Sequence, residues 1–378
     1  MKKKFSERLY CFLWHVLRKP FEWIFAFQHD YDRETVPTLI ISNHVTNFDP
    51  ILVAFSFPGR RFHFVASEHL FRMGFISKVL SYLFEFIPRR KGVSGSDTAM
   101  SILRQLREGK SVGLFAEGGT TWDGKTASVV SATGRLAQVS KCRLITYRLE
   151  GGYLTAPRWG KGIRRGKMYG RIVGIYSPEE LKAMGKEEVQ RLIERDIYED
   201  ALHRQQENPV AYGKRGRAER LETVLFRCPV CGAYGNLTSK GNYLSCSCGK
   251  KWEYTAFGRF EPAEPFETVE DWDIWQRQQL EMEQTPVFRE RELILSRLVG
   301  DHDQEVLGKG SLQLRGNVLR CCGNNFALEE ISSMALITTK RLLFTVGDCY
   351  YEIKAKKPLC LRKYLLCWQK VAAKEPIT

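Results

Sequence analysis

In the segment Asn43-His-Val-Thr-Asn-Phe-Asp-Pro50, a histidine and an aspartate stand five residues apart. An aspartate bonded to one ring nitrogen fixes the histidine tautomer and leaves the other nitrogen open as a general base. The same spacing also suits a buried structural histidine beside a helix-capping aspartate, and an isolated His-x4-Asp does not choose between the two. Position adds to the chemical reading. The preceding run, Thr38-Leu-Ile-Ile-Ser42, reads as a short buried strand, and Asp49-Pro50 reads as a helix start. The loop between them is short enough to fold Asp49 back onto the imidazole of His44.

Three further blocks follow. Phe86-Ile-Pro-Arg-Arg-Lys-Gly92 sets basic residues at the end of an apolar stretch. Arg89 and Arg90 are candidates to hold a phosphate, because a planar guanidinium binds phosphate bidentately. The bland alternative is a solvated basic turn. Leu114-Phe-Ala-Glu-Gly-Gly-Thr-Thr121 then closes a predicted strand, Ser111 to Phe115, with an acid and two glycines. Gly118 and Gly119 let a ligand approach the backbone, and Thr120 and Thr121 offer hydroxyls. An ordinary strand-to-turn junction has the same composition. Leu144-Ile-Thr-Tyr-Arg148 is another strand-like run, leading into Gly151-Gly152.

In order and spacing these blocks resemble the glycerolipid acyltransferase family typified by 1-acyl-glycerol-3-phosphate acyltransferase. That family carries Asn-His-x4-Asp, an arginine-containing block, Phe-Pro-Glu-Gly-Thr and a strand containing Val-Pro. The likeness spans roughly residues 35 to 205 by domain size. Ala116 stands where proline is usual, Gly119 is an extra residue, and the fourth block lacks its proline. The resemblance implies transfer of an acyl group from acyl-CoA or acyl-ACP to a lysophospholipid, most simply lysophosphatidic acid. Glu117 and Gly118 match the acceptor-binding block, with Thr120 beside them, and the motif arginine aligns with either Arg89 or Arg90. His44 is then the general base and Asp49 its orienting partner. No serine or cysteine sits in a nucleophile elbow such as Gly-x-Ser-x-Gly, so direct attack by the acceptor hydroxyl is expected in place of an acyl-enzyme.

Composition bounds the partners. The 378 residues carry 58 basic and 43 acidic side chains, a net charge of +15. Such a charge favours anionic partners without choosing among them. No apolar run reaches about 18 uncharged residues, so no transmembrane helix is expected. Lys2-Lys-Lys4 precedes an apolar stretch broken by His15, Arg18, Lys19 and Pro20, with no small-residue cleavage site, which argues against a signal peptide. Leu9 to Phe27 reads as an amphipathic anchor, with Tyr10, Phe12, Leu13, Trp14, Trp23, Phe25 and Phe27 of interfacial type; a pair of core helices is the alternative. The expected place is therefore the cytoplasmic face of a membrane, peripheral or monotopic, on an anionic surface. Arg158 to Lys167 holds five basic residues beside Trp159, either an anion-binding stretch with Trp159 in the interface or a solvated hairpin.

Downstream, Cys228-Pro-Val-Cys231-Gly and Cys246-Ser-Cys248-Gly are separated by 14 residues. Two close cysteine pairs, each followed by glycine, look like the knuckles of a zinc ribbon, with structural Zn2+ on Cys228, Cys231, Cys246 and Cys248. The second pair has one intervening residue where two are usual. So small a segment needs the metal to fold. The last hundred residues show short strand-like runs joined by Gly and Asn turns and closed by a helix, Leu361 to Ala373. That layout is similar to a pleckstrin-homology-like barrel. The expected fold is an α/β acyltransferase domain followed by a small zinc ribbon and a mainly-β C-terminal domain. Its divisions are an N-terminal anchor segment at 1–30, the acyltransferase domain at 31–210, the ribbon at 224–260 and the barrel with its helix at 285–376. A second reading is a non-catalytic zinc-ribbon adaptor for nucleic acid or protein on a degenerate acyltransferase scaffold. The complete His44/Asp49 pair weighs against it, and nucleic acid is not the partner expected.

Overall fold

The computed structural model describes residues 2–67, 85–89, 95–213, 215–299 and 303–373. The chain divides into two compact units: residues 1–158 with 162–214, and residues 159–161 with 215–378.

The first unit is a seven-stranded sheet between helices. Its strands are β1 (Phe27–His29), β2 (Thr38–Ser42), β3 (Phe62–Ser67), β4 (Ile87–Arg89), β5 (Ser111–Phe115), β6 (Arg143–Glu150) and β7 (Met168–Tyr176). They lie in the order β1-β7-β6-β2-β5-β3-β4. Strands β6, β2, β5, β3 and β4 are mutually parallel, and β7 runs antiparallel to β6. A central parallel strand is covered on both faces, which is why Thr38–Ser42 is apolar without a polar alternate. Ile40 enters one core with Phe57, Phe62, Phe64 and Tyr147. Leu39 and Ile41 enter the opposite core with Ile102, Leu136 and Ile193.

The helices are α1 (Lys2–Phe25), α2 (Asp49–Phe55), α3 (Gly95–Arg107), α4 (Thr133–Ser140), α5 (Gly152–Thr155), α6 (Pro178–Ala183), α7 (Lys186–Ile197) and α8 (Ala201–Glu207). Ser177 caps α6 through a complete capping box with Glu180, as the sequence signature requires. The apolar periodicity that runs on from Lys186 to His203 makes two helices and not one. Tyr198 leaves helical geometry, and Asp200 caps a new helix by accepting from the His203 N–H. The expected anchor segment also differs from a uniformly interfacial one. Tyr10, Trp14, Phe25 and Phe27 are buried, whereas Phe12 and Trp23 are 62% and 65% exposed. Most of the apolar run from Phe62 to Ile87 lies outside the described residues.

The second unit is mainly β. A four-stranded antiparallel sheet holds β8 (Leu237–Lys240), β9 (Tyr243–Cys246), β10 (Lys251–Tyr254) and β11 (Phe260–Glu261). Helix α9 (Val269–Met282) follows. Next come β12 (Val287–Val299), β13 (Asp303–Arg315), β14 (Val318–Cys321), β15 (Asn324–Ala327), β16 (Ile331–Thr338), β17 (Arg341–Val346) and β18 (Cys349–Ala355), then α10 (Arg362–Ala372). The sheet order β15-β14-β13-β12-β18-β17-β16 makes β12 the shared strand of two meanders. Helix α9 ties the cysteine region to the larger sheet's helix. Gln276 bonds Phe226 N–H and the Val224 carbonyl, the Trp272 indole donates to the Arg227 carbonyl, and buried Asp273 pairs with Arg362.

Candidate active site

The carboxyl ends of β2, β4 and β5 converge on the residues singled out above, at the edge where open parallel sheets place their ligands. Ser42 and Phe115 are register partners, so His44 and Glu117, each two residues further on, leave their strands side by side. Nδ1 of His44 donates to Oδ2 of Asp49 at 2.7 Å. Asp49 is fully buried and receives three more donors. Val45 N–H reaches Oδ2 at 2.7 Å, Thr46 N–H reaches it at 2.9 Å, and the Thr46 hydroxyl reaches Oδ1 at 2.6 Å. A carboxylate surrounded by donors acts only as acceptor. The proton therefore sits on Nδ1, and Nε2 carries the lone pair. Nε2 has no partner among the described residues. The ring stacks on Phe115 with centroids 4.5 Å apart, and its side chain is 21% exposed. A fixed imidazole of this kind, with one nitrogen open, can accept a proton.

The loop after β5 wraps the backbone of His44. Oε1 of Glu117 accepts the His44 N–H at 2.6 Å, Oε2 accepts the Ala127 N–H at 2.5 Å, and Thr121 N–H donates to the His44 carbonyl at 3.0 Å. Both Glu117 oxygens are thus engaged by backbone. The residue expected to bind acceptor holds the histidine loop in place. Burial, with the negative charges of Asp49 and Asp123 nearby, pushes its carboxyl up to about 8 against the two backbone donors.

Gly118 has φ +72°, and the one atom within 4 Å of where a β-carbon would stand is Nη1 of Arg89, at 3.1 Å. Arg89, exposed at the end of β4, therefore stands beside this loop; Arg90 lies outside the described residues. Thr120 is buried and its hydroxyl has no partner among the described residues. The Thr121 hydroxyl is committed, donating to Asp123 and accepting from Gly124 N–H.

A family model described as Acyltransferase matches residues 26–150. Over that span, about a third of the 378 residues, the chain is similar to the acyltransferase family. Over 89 residues it is 30% identical to 1-acyl-sn-glycerol-3-phosphate acyltransferase of Borreliella burgdorferi, covering 23% of this chain and 35% of that protein. The chain thus matches about a third of that curated relative's length, 35%. A solved structure, the LPA acyltransferase PlsC from Thermotoga maritima, is similar at 18% identity and a TM-score of 0.43, covering 52% of this chain and 80% of that one. Within the first unit, two contributions to the site were not legible as such. Asn43 uses both ends of its amide to pair with the backbone of Leu149, 106 residues away, and so clamps the His44 loop to β6. Arg158, at the head of the basic run, also reaches the glycine loop. Trp159, interfacial in one of the two readings of the basic run, belongs to the second unit and is fully buried edge-on against Tyr254 of that unit.

The four ribbon cysteines come together. Their sulfurs lie within 4.8 Å of one another, with Cys228–Cys248 at 3.9 Å and Cys231–Cys246 at 3.7 Å. Zn–S bonds of about 2.3 Å in a tetrahedron give edges of about 3.8 Å. Gly232 and Gly249, at φ +70° and +92°, turn their N–H groups back onto the Cys228 and Cys246 carbonyls. The donor set fits zinc.

Proposed function

We propose that the chain transfers a fatty acyl group from an acyl thioester, acyl-CoA or acyl-ACP, to the hydroxyl of a lysophospholipid, converting lysophosphatidic acid to phosphatidic acid. The observation that carries this reading is the 2.7 Å bond between His44 and a fully buried, donor-saturated Asp49, which leaves Nε2 without a partner among the described residues. The acceptor hydroxyl gives its proton to Nε2 as its oxygen attacks the thioester carbonyl. Asp49 keeps the Nδ1 proton in place and balances the imidazolium. The tetrahedral intermediate then collapses, the C–S bond breaks, and the thiolate takes the proton from Nε2. An ester and a thiol result, and His44 is neutral again. Arg89 binds the acceptor phosphate as a guanidinium fork.

The reading extends to an anionic membrane surface on the cytoplasmic face. On α1, exposed Phe12, Val16 and Trp23 share one helical stripe with Lys19, opposite the buried Tyr10, Trp14 and Phe25. An amphipathic helix of this kind lies in the interface and does not cross it. Among the described residues no helix is long and apolar enough to span a membrane. Zinc on Cys228, Cys231, Cys246 and Cys248 supplies folding energy to the second unit and takes no part in the transfer. The two meanders joined through β12 and followed by α10 support a pleckstrin-homology-like reading of the C-terminal barrel.

The test is purified full chain with either donor and lysophosphatidic acid, glycerol 3-phosphate or a lyso-aminolipid, with products read by mass spectrometry. New phosphatidic acid is the expected product. No ester from any pairing, together with salt-sensitive nucleic-acid binding, would favour the adaptor instead.

A further inference from the structure

We infer that Arg158 is a second phosphate-binding cation of the acceptor site and that it selects a phosphomonoester over a phosphodiester headgroup. The inference rests on the acyl-transfer reading and adds to it a residue beyond the family match at 26–150. Around the β-carbon position of Gly118 the one atom within 4 Å is Nη1 of Arg89; around that of Gly119 it is Nη1 of Arg158, at 3.6 Å. Adjacent α-carbons are about 3.8 Å apart. A guanidinium nitrogen thus lies beside each of two successive glycines of this loop. The N–H groups of Gly119 and Thr120 at this stretch have no partner among the described residues, and consecutive open N–H groups beside a left-handed residue favour an anion.

Arg158 is held in place before any ligand arrives. Nη1 donates to the Thr120 carbonyl at 3.1 Å, and the guanidinium lies 4.0 Å from the centroid of the Trp122 ring. A side chain ordered in this way loses little freedom on binding. The same loop holds His44 through Glu117 and Thr121, so an anion bound here is tied to the base by a few residues of chain. Charge sets the selectivity. A phosphomonoester carries about −1.5 to −2 at neutral pH. A phosphodiester carries a single charge, which Arg89 matches alone. The second cation therefore benefits the monoester.

The experiment uses the full chain, wild type, Arg158→Gln and Arg158→Lys. Transfer from acyl-CoA is measured to lysophosphatidic acid, to the diester lysophosphatidylglycerol and to uncharged monoacylglycerol. Glycerol 3-phosphate binding is followed separately by calorimetry. Arg158→Gln should raise the KM for lysophosphatidic acid by 10-fold or more with kcat within about 3-fold, and leave both other acceptors within about 3-fold. Arg158→Lys should recover part of the loss, and glycerol 3-phosphate binding should weaken by 10-fold or more in the Gln variant. An unchanged KM for lysophosphatidic acid, or an equal loss with all three acceptors, would overturn the inference. If wild type transfers to no acceptor, the acyl-transfer reading fails. The binding arm then still decides: equal binding by wild type and Arg158→Gln counts against Arg158, and weakened binding supports its phosphate-holding role.

Discussion

Asp49→Asn isolates the charge at the centre of the site. The asparagine carbonyl can occupy the place of Oδ2 and keep the bonds from His44 Nδ1–H, Val45 N–H and Thr46 N–H. The amide nitrogen then takes the place of Oδ1, where the Thr46 hydroxyl rotates from donor to acceptor. The fold should survive, and only the negative charge is lost. During proton transfer that charge faces an imidazolium at 2.7 Å, worth about 332/(20 × 2.7), or ~6 kcal/mol, at an effective dielectric of 20. A charge-assisted hydrogen bond is roughly twice as strong as a neutral one, so the amide retains about half. The remaining ~3 kcal/mol corresponds to about a 100-fold fall in kcat. KM for both substrates should stay within about 3-fold, because Asp49 is fully buried and touches neither. Steady-state assays with donor and acceptor each at saturation measure this, with circular dichroism to verify folding. Asp49→Ala is the contrast, since it leaves several buried donors unpaired and should cost at least about 3 kcal/mol of stability. A folded Asp49→Asn enzyme with wild-type kcat would refute the reasoning.

Glu117 sets a pH dependence of stability. Its folded-state carboxyl is raised to about 8, above the 4.5 of a free side chain, so between those values the folded state keeps a proton the unfolded state has lost. The stabilisation is complete below about pH 4.5 and is lost as pH rises through about 8. Urea midpoints from pH 5 to 8.5 should fall for wild type. They should fall less for Glu117→Gln, whose baseline is lower because an amide cannot accept from both backbone donors, and identical slopes would count against the assignment. Purified protein should contain one zinc per chain by metal analysis. Cys228→Ser should lose it and open residues 224–260 to protease while the acyltransferase domain stays folded; zinc-free wild type purified under reducing conditions would remove the site. Replacing Phe12 and Trp23 with serine should weaken cosedimentation with anionic vesicles several-fold without lowering the melting temperature, because both side chains are exposed. Unaltered vesicle binding would exclude this stripe as the docking face.

Much of the site was legible because it depends on short-range order. Thr38–Ser42 and Ser111–Phe115 coincide with the expected strands, since a strand buried on both faces is written as a continuous apolar run. His44 and Asp49 meet because the four residues between them leave them little choice. Contacts that depend on distant chain leave no such trace. The amide of Asn43 finds Leu149 across 106 residues, and Arg158 finds Gly119 from beyond the last block. The bonds of Glu117 were hidden for a related reason: composition marks an acid beside two glycines, but not that both its oxygens face backbone N–H groups. In the second unit, β12 (Val287–Val299) passed unnoticed. Its alternation is broken at Glu292, which has φ +60° and shifts the register, and its exposed face carries Arg and Glu.

The central claim is that His44 takes the acceptor's proton. The measurement is the kcat for transfer of an acyl group from acyl-CoA to lysophosphatidic acid by folded His44→Ala protein, assayed beside wild type. Without the base, the rate should fall by at least the 100- to 10,000-fold that positioned proton transfer contributes, about 10²–10⁴, while Arg89 keeps the acceptor bound. Turnover by His44→Ala within about 3-fold of wild type would contradict the mechanism, however well the rest of the site is assembled.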